Sequence, residues 1–157
     1  TLDQPSKLSL PDLAVPVPFV INAEVAKANA QRHELDVAFR ESDLLDGVAT
    51  PDGGWDVVAA NLPYIPSADI DGLAPEVAHY EPRAALDGGP DGLDLVRRLI
   101  KQCAPNAGRL ARRGALYLEI GIHQAEATAQ LLMDAGFYDA EIREDYGGIG
   151  RVVRGRG

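Results

Sequence analysis

Trp55-Asp56-Val57-Val58-Ala59-Ala60-Asn61-Leu62-Pro63-Tyr64 is the stretch on which the fold turns. Trp55 to Ala60 is a near-continuous apolar run, and Asn61 and Pro63 stop it. Such a run, short and abruptly ended, predicts a strand buried on both faces of a parallel sheet. Asn61 then stands at the C-terminal end of that strand, where open α/β sheets bind their ligands.

Downstream, Ala115 to Ile120 predicts a second buried strand ending at Gly121. Between the two, Gly92 to Ala104 puts Leu93, Val96, Leu99 and Ile100 on one helical face and Arg97, Arg98 and Lys101 on the other, an amphipathic surface helix. Gln124 to Ala135 repeats the helical period. Tyr138 to Arg143 and Arg151 to Arg154, joined by the turn-rich Asp145-Tyr146-Gly147-Gly148, predict an antiparallel pair at the sheet edge. Upstream, Asn22 to Glu34 predicts a short helix with Asn22 as N-cap, and Asp36 to Phe39 a brief strand. Leu62 to Pro90 holds five prolines and reads as a long loop with one helical turn near Pro75 to His79. The alternation implies an α/β fold with a mostly parallel sheet.

The 157 residues suffice for one domain with a real core. Residues 1–21, with Pro5, Pro11, Pro16 and Pro18 and no clear period, read as an atypical N-terminal segment and a candidate for disorder; residues 22–157 carry the fold. A formal net charge of -9 argues against bulk binding of nucleic acid. One cysteine, Cys103, allows no internal disulfide, and with three scattered histidines no structural zinc site, so no metal is expected. A cytoplasmic setting fits, and no apolar run reaches the ~20 residues of a membrane span.

The residues ending the first strand suggest a chemistry. The Asn61 carboxamide can accept an N–H from a substrate amide and fix its plane, and the Leu62 backbone carbonyl offers a second acceptor. Pro63, with its fixed φ, holds that carbonyl, and the Tyr64 ring packs on the substrate plane. An amide nitrogen is a poor nucleophile because its lone pair is delocalised. Gripping both its hydrogens while presenting it to a methyl donor gains chiefly by orientation. Asn61 and Tyr64 are thus the candidate catalytic residues, and Asn61, Leu62, Pro63 and Tyr64 the candidate substrate-binding set. Read without further context, the same four residues simply end a strand and carry a half-buried loop aromatic.

The strand followed by Asn-Leu-Pro-Tyr resembles the Asn-Pro-Pro-Tyr unit of the glutamine N5-methyltransferases of the HemK/PrmC type, which modify the glutamine of a Gly-Gly-Gln motif in peptide chain release factors. Glu81-Pro82-Arg83, Ala85-Leu86-Asp87-Gly88-Gly89 and Asp91-Gly92-Leu93-Asp94 are similar to that family's segment after the motif. Leu118-Glu119-Ile120-Gly121 with Gln124 is similar to its penultimate parallel strand, and Gly136-Phe137, Asp145, Gly148 and Arg151-Val152-Val153 to its C-terminal hairpin. The resemblance covers roughly residues 22 to 155. It implies a Rossmann-like class I methyltransferase sheet, N-terminally truncated, with S-adenosylmethionine as cofactor and a release factor as protein partner, and neither membrane nor direct nucleic-acid binding.

Two departures bear on that expectation. Leu62 replaces the family's usual first proline, at a position whose role is a backbone carbonyl. Adenine N6-methyltransferases acting on RNA share Asn-Leu-Pro-Tyr, so the motif alone leaves that substrate open. More seriously, the family holds its cofactor with a glycine-rich loop after a first strand and an acid after the second. All 16 glycines here fall at Gly47 or later, and no acid lies between Asp12 and Glu24, where the ribose-binding position, near residues 15 to 17, is expected. The first strand and its loop are expected to be missing and the second strand altered. What the resemblance leaves of the cofactor site is Asp43 and Leu44, at the adenine position, and Asn61. A non-catalytic remnant that keeps the clamp without the cofactor is therefore a standing alternative. Glu119, His79, His123, Cys103 and the arginines at 109, 112, 113, 151, 154 and 156 read more simply as structural or solvated groups.

Overall fold

The computed structural model describes residues 14–17, 23–78 and 80–157; Asn22, the expected N-cap, and His79 lie outside them. Two compact units divide the chain, Thr1–Val48 and Ala49–Gly157. In the first, β1 (Ala14–Val17) pairs in parallel with β2 (Ala38–Glu41), and α1 (Ala23–Arg32) connects them. β1 falls inside the proline-bearing segment for which no element was expected. Among the described residues no third strand joins β1 and β2, so both are edge strands, where proline is admitted. The strand expected at Asp36–Phe39 runs two residues later.

The second unit is built on a four-stranded mixed sheet in the order β3-β4-β6-β5. β3 (Trp55–Asn61) and β4 (Leu110–Glu119) run parallel, with Val58 opposite Leu116, Ala60 opposite Leu118 and Asn61 opposite Glu119. Parallel neighbours require a long crossover. Residues 62–109 supply it, through the short helices α2 (Pro75–Ala78) and α3 (Arg83–Leu86) and then α4 (Asp94–Cys103), which packs on β4. α5 (Ala125–Asp134) leads to the antiparallel hairpin of β5 (Asp139–Glu144) and β6 (Gly150–Arg156). The hairpin's second strand inserts between β4 and β5, so of the hairpin's two strands β5 alone lies at an edge.

The core sits where the even-numbered residues of β4 meet the helices. Leu116, Leu118 and Ile120 are fully buried, as are Val153 of β6 and Leu132 of α5, with Val96, Leu99 and Ile100 of α4 buried beside them. Gly155 is glycine because a Cβ there would stand 2.7 Å from a Leu132 methyl and 2.9 Å from the Phe137 ring. Cys103 is packing, as expected. Burial pushes its thiol pKa up to about 12, with Arg109 pulling weakly the other way. Only the thiolate reacts readily. A disulfide reagent at pH 8 is therefore expected to leave the native protein unlabelled and to label one thiol after urea unfolding; fast native labelling would contradict the packing.

The reading of β3 as buried on both faces is corrected. Its exposure alternates, with Val57, Ala59 and Asn61 exposed and Val58 and Ala60 half-buried, and Val57 is 56% exposed. The cause is position in the sheet. Among the described residues no strand pairs with the edge of β3 opposite β4, so β3 is an end strand. Of the arginines considered above, Arg154 is nearly buried and bridges Asp139 at 2.8 Å and Glu141 at 2.6 Å, and Arg151 pairs with Asp145 at 3.2 Å. Those two are committed to the hairpin. No helix among the described residues is long and apolar enough to cross a membrane, and among them no cluster of three metal-ligating side chains occurs.

Candidate functional site

β3 delivers Asn61 to the C-terminal rim of the sheet, in register with Glu119 at the end of β4. Both side chains are exposed. Paired residues of neighbouring strands point to the same face, so a carboxamide and a carboxylate stand side by side there. Among the described residues the Asn61 carboxamide makes no hydrogen bond, which leaves its donors and acceptor for a ligand. Leu62 and Pro63 then turn inward and are buried, and Tyr64 is half-buried. The Tyr64 ring lies against Gly121, where a Cβ would approach its Cδ2 to 3.0 Å.

The long segment after the motif has an ordered purpose that its composition does not advertise. Ile65 donates its N–H to Leu86 at 3.0 Å and accepts from Gly88 at 2.9 Å, and Ser67 donates to Gly89 at 2.9 Å. Residues 65–67 are thereby stitched to residues 86–89. Asp87 locks the stitch: it accepts from the Ser67 hydroxyl at 2.6 Å, from the Gly89 N–H at 3.0 Å and from Arg83 Nε at 3.2 Å. The Ser67 hydroxyl, more than any other neighbour, holds the Asp87 carboxyl below its usual range. Arg83 also donates to the Ser67 carbonyl at 3.1 Å. Gly88 and Gly92 sit directly behind the motif. A Cβ on Gly88 would come within 2.7 Å of the Pro63 carbonyl oxygen, and one on Gly92, at φ +77°, within 2.2 Å of the Tyr64 carbonyl oxygen.

Asp91 fixes the entry to α4. It takes two contacts from the Arg97 guanidinium, Nη1 to Oδ1 at 2.9 Å and Nη2 to Oδ2, and accepts the Leu93 N–H at 3.1 Å. The Arg97 hydrogen bonds bring its pKa down to about 2, against the weaker opposing effect of burial. A carboxyl whose folded pKa lies below its unfolded value of about 3.8 stabilises the fold above that pH and loses the contribution as pH falls through about 2. The melting temperatures of the wild type and Asp91→Asn are therefore expected to differ by a constant amount above about pH 5 and to converge toward pH 2. A difference unchanged down to pH 2 would count against the pair.

Gln124 closes the arrangement. Its side chain is largely buried; Oε1 accepts the Gly121 N–H at 2.8 Å, and Nε2 donates to the Tyr64 carbonyl at 2.9 Å and the Asp91 carbonyl at 3.4 Å. In the sequence Gln124 stands out only as the start of a helical period and as part of a segment similar to the family's. The positive-φ glycines at 89 and 92, crowded into Gly88-Gly89-Pro90-Asp91-Gly92, were the available signal that backbone is packed closely there.

The expected cofactor residues Asp43 and Leu44 belong to the first unit, while Asn61 belongs to the second. Leu44 adopts a positive φ of 53°, and its carbonyl accepts the Ser42 hydroxyl at 2.7 Å. In the sequence no acid follows β1 before Glu24, and no glycine precedes Gly47. Neither the family's glycine-rich loop nor its ribose acid is among the described residues, which leave Asp43, Leu44 and Asn61 as the candidates for cofactor contact.

No protein-family model matches the chain. It is 46% identical over 132 residues to a release factor glutamine methyltransferase of Geobacter sulfurreducens, covering 84% of this chain and 45% of that protein. It is 39% identical over 155 residues to the protein of that name from Rhodospirillum rubrum, covering 98% of this chain and again 45% of the relative. A protein-(glutamine-N5) methyltransferase, release factor-specific, from Alicyclobacillus acidocaldarius has a solved structure similar at a TM-score of 0.44 and 24% identity, covering 84% of this chain and 72% of that one. The chain thus spans about half the length of the curated relatives it matches. With the strand, the Asn-Leu-Pro-Tyr turn and its stitched support in place, this chain is a relative of the release factor glutamine methyltransferases over most of its own length.

Proposed function

We propose that Asn61, Leu62, Pro63 and Tyr64 hold the side-chain amide of a glutamine, that of a release factor's Gly-Gly-Gln motif, for methylation on nitrogen. The observation that carries this reading is the exposed Asn61 carboxamide at the rim of the sheet, with no hydrogen bond among the described residues, followed by a loop whose backbone is held from behind. Asn61 accepts one amide hydrogen and the Leu62 carbonyl the other. Tyr64, steadied on Gly121, packs on the amide plane. Two acceptors fix the plane of the nitrogen and leave one face open, a contribution of orientation and not of acid–base chemistry. The family's methyl donor is S-adenosylmethionine, and this chain's residues account for the amide side of the reaction alone.

A second reading rests on the same exposed rim: a module that keeps the amide clamp and binds no cofactor of its own. Titration with S-adenosylmethionine decides between them. Micromolar binding removes the second reading; none at millimolar cofactor removes catalysis by this chain alone. The amide reading is tested with a Gly-Gly-Gln peptide. Asn61→Ala is expected to weaken its binding by about tenfold, the worth of one hydrogen bond within a desolvated contact. Preference for an adenine-bearing RNA over the peptide would overturn it.

A further inference from the structure

We propose that Gln124 is the positioning residue of the clamp, an inference that rests on the amide reading of Asn61–Tyr64. Three chain segments meet at this one carboxamide: the motif through the Tyr64 carbonyl, the end of β4 through the Gly121 N–H, and the loop before α4 through the Asp91 carbonyl. Gln124 is the N-cap of α5 yet makes no side-chain bond to its own helix, so its polar atoms serve the neighbours and not the cap. The geometry leaves little latitude. Its amide reaches Tyr64 across the space in front of Gly92, where a Cβ would stand 2.5 Å from Nε2, and beneath Gly121, where one would stand 2.9 Å from Oε1. A side chain that is 9% exposed and donates to a carbonyl 60 residues away fixes the rotation of the Tyr64 peptide plane. The Tyr64 ring and the Leu62 carbonyl issue from the same short turn, so fixing that plane fixes the direction in which the clamp faces.

Glutamate at this position provides a test that separates positioning from bulk packing. Gln124→Glu keeps the shape and the acceptor for the Gly121 N–H, but when ionised it turns the donors into an anion facing two carbonyl oxygens. Protonated, it donates again, and both burial and the facing carbonyls raise the pH at which it takes up its proton. With the full chain and a Gly-Gly-Gln peptide, Gln124→Glu is expected to bind about tenfold more weakly than the wild type at pH 7.5 and within about twofold at pH 5. Gln124→Ala is expected to bind weakly at both. Equal affinities of Gln124→Glu and the wild type at pH 7.5, or a loss that pH does not repair, would overturn the proposal.

Amide hydrogen exchange gives the second measurement. Gln124→Ala is expected to speed exchange at Gly121, whose acceptor is lost, and at Gly88, which donates to Ile65 beside Tyr64. If the wild type binds no peptide, the amide reading of the site fails, and exchange alone then judges the positioning: unchanged protection at Gly88 would overturn it. Faster exchange at Gly88 with undiminished peptide affinity would equally overturn it, because the loop would then be held without consequence for the ligand.

Discussion

Gly92→Ala is expected to destabilise the second unit by about 2–3 kcal/mol and to abolish measurable binding of a Gly-Gly-Gln peptide. Two costs combine. At φ +77° an L-residue pays roughly 1–2 kcal/mol for the left-handed conformation. The new methyl would also lie 2.2 Å from the Tyr64 carbonyl oxygen and 2.5 Å from Gln124 Nε2, so one of them must move and the hydrogen bond between them is lost, at about 1 kcal/mol. Gly53→Ala is the control. Gly53 has φ +86° in the same unit, but nothing lies within 4 Å of its added Cβ, so it pays the conformational cost alone. Urea unfolding and peptide titration of the two variants separate the contributions, and equal effects would mean that Gly92 does not buttress the motif.

Leu118→Ala is expected to cost about 2–5 kcal/mol, a large share of the 5–15 kcal/mol by which domains of this kind are usually stable. Leu118 is fully buried in β4, with Ala60 of β3 on one side and Val153 of β6 on the other. Leu118 is enclosed between its strand neighbours and the helices, which close only partly around the lost atoms, so the cavity persists. The strand also ends at Glu119 beside Asn61, so a shift in β4 travels one residue to the site rim. A loss below about 1 kcal/mol in urea unfolding would show that the core lies elsewhere.

What could be read in the residues followed local period and chemistry. Helices α4 and α5 and the closing hairpin announce themselves through spacing and turn residues, and Asn61 could be placed at a strand end because Pro63 forbids continuation. The exposure of β3 could not be read. Val57 and Ala59 suit a buried face equally well, and what exposes them is the number of neighbours the strand has, a property of the sheet. The insertion of β6 between β4 and β5 is likewise a matter of partners and not of either strand's own composition. The support of the motif was hidden for another reason. Ser67 meets Asp87, and Tyr64 meets Gln124 from 60 residues away, in contacts with no period to betray them. A proline-rich stretch with scattered acids reads as a long loop by composition, yet Asp87 is held by the Ser67 hydroxyl, the Gly89 N–H and Arg83, and Asp71 pairs with the same arginine.

The side of β3 left unpaired among the described residues has a consequence for how the protein behaves in a tube. Among the described residues no strand pairs with the outer edge of β3, whose row of alternate main-chain donors and acceptors from Trp55 to Asn61 is guarded by one charge, Asp56, and by no proline or lysine. Such a row is a template that any extended peptide can copy, including a partly opened neighbour of the same kind. Turbidity on gentle warming should then rise more steeply than in proportion to the amount dissolved, because two molecules must meet to begin it. A lysine in place of Val57 should delay that onset while leaving the peptide clamp, at the far end of the strand, to work as before.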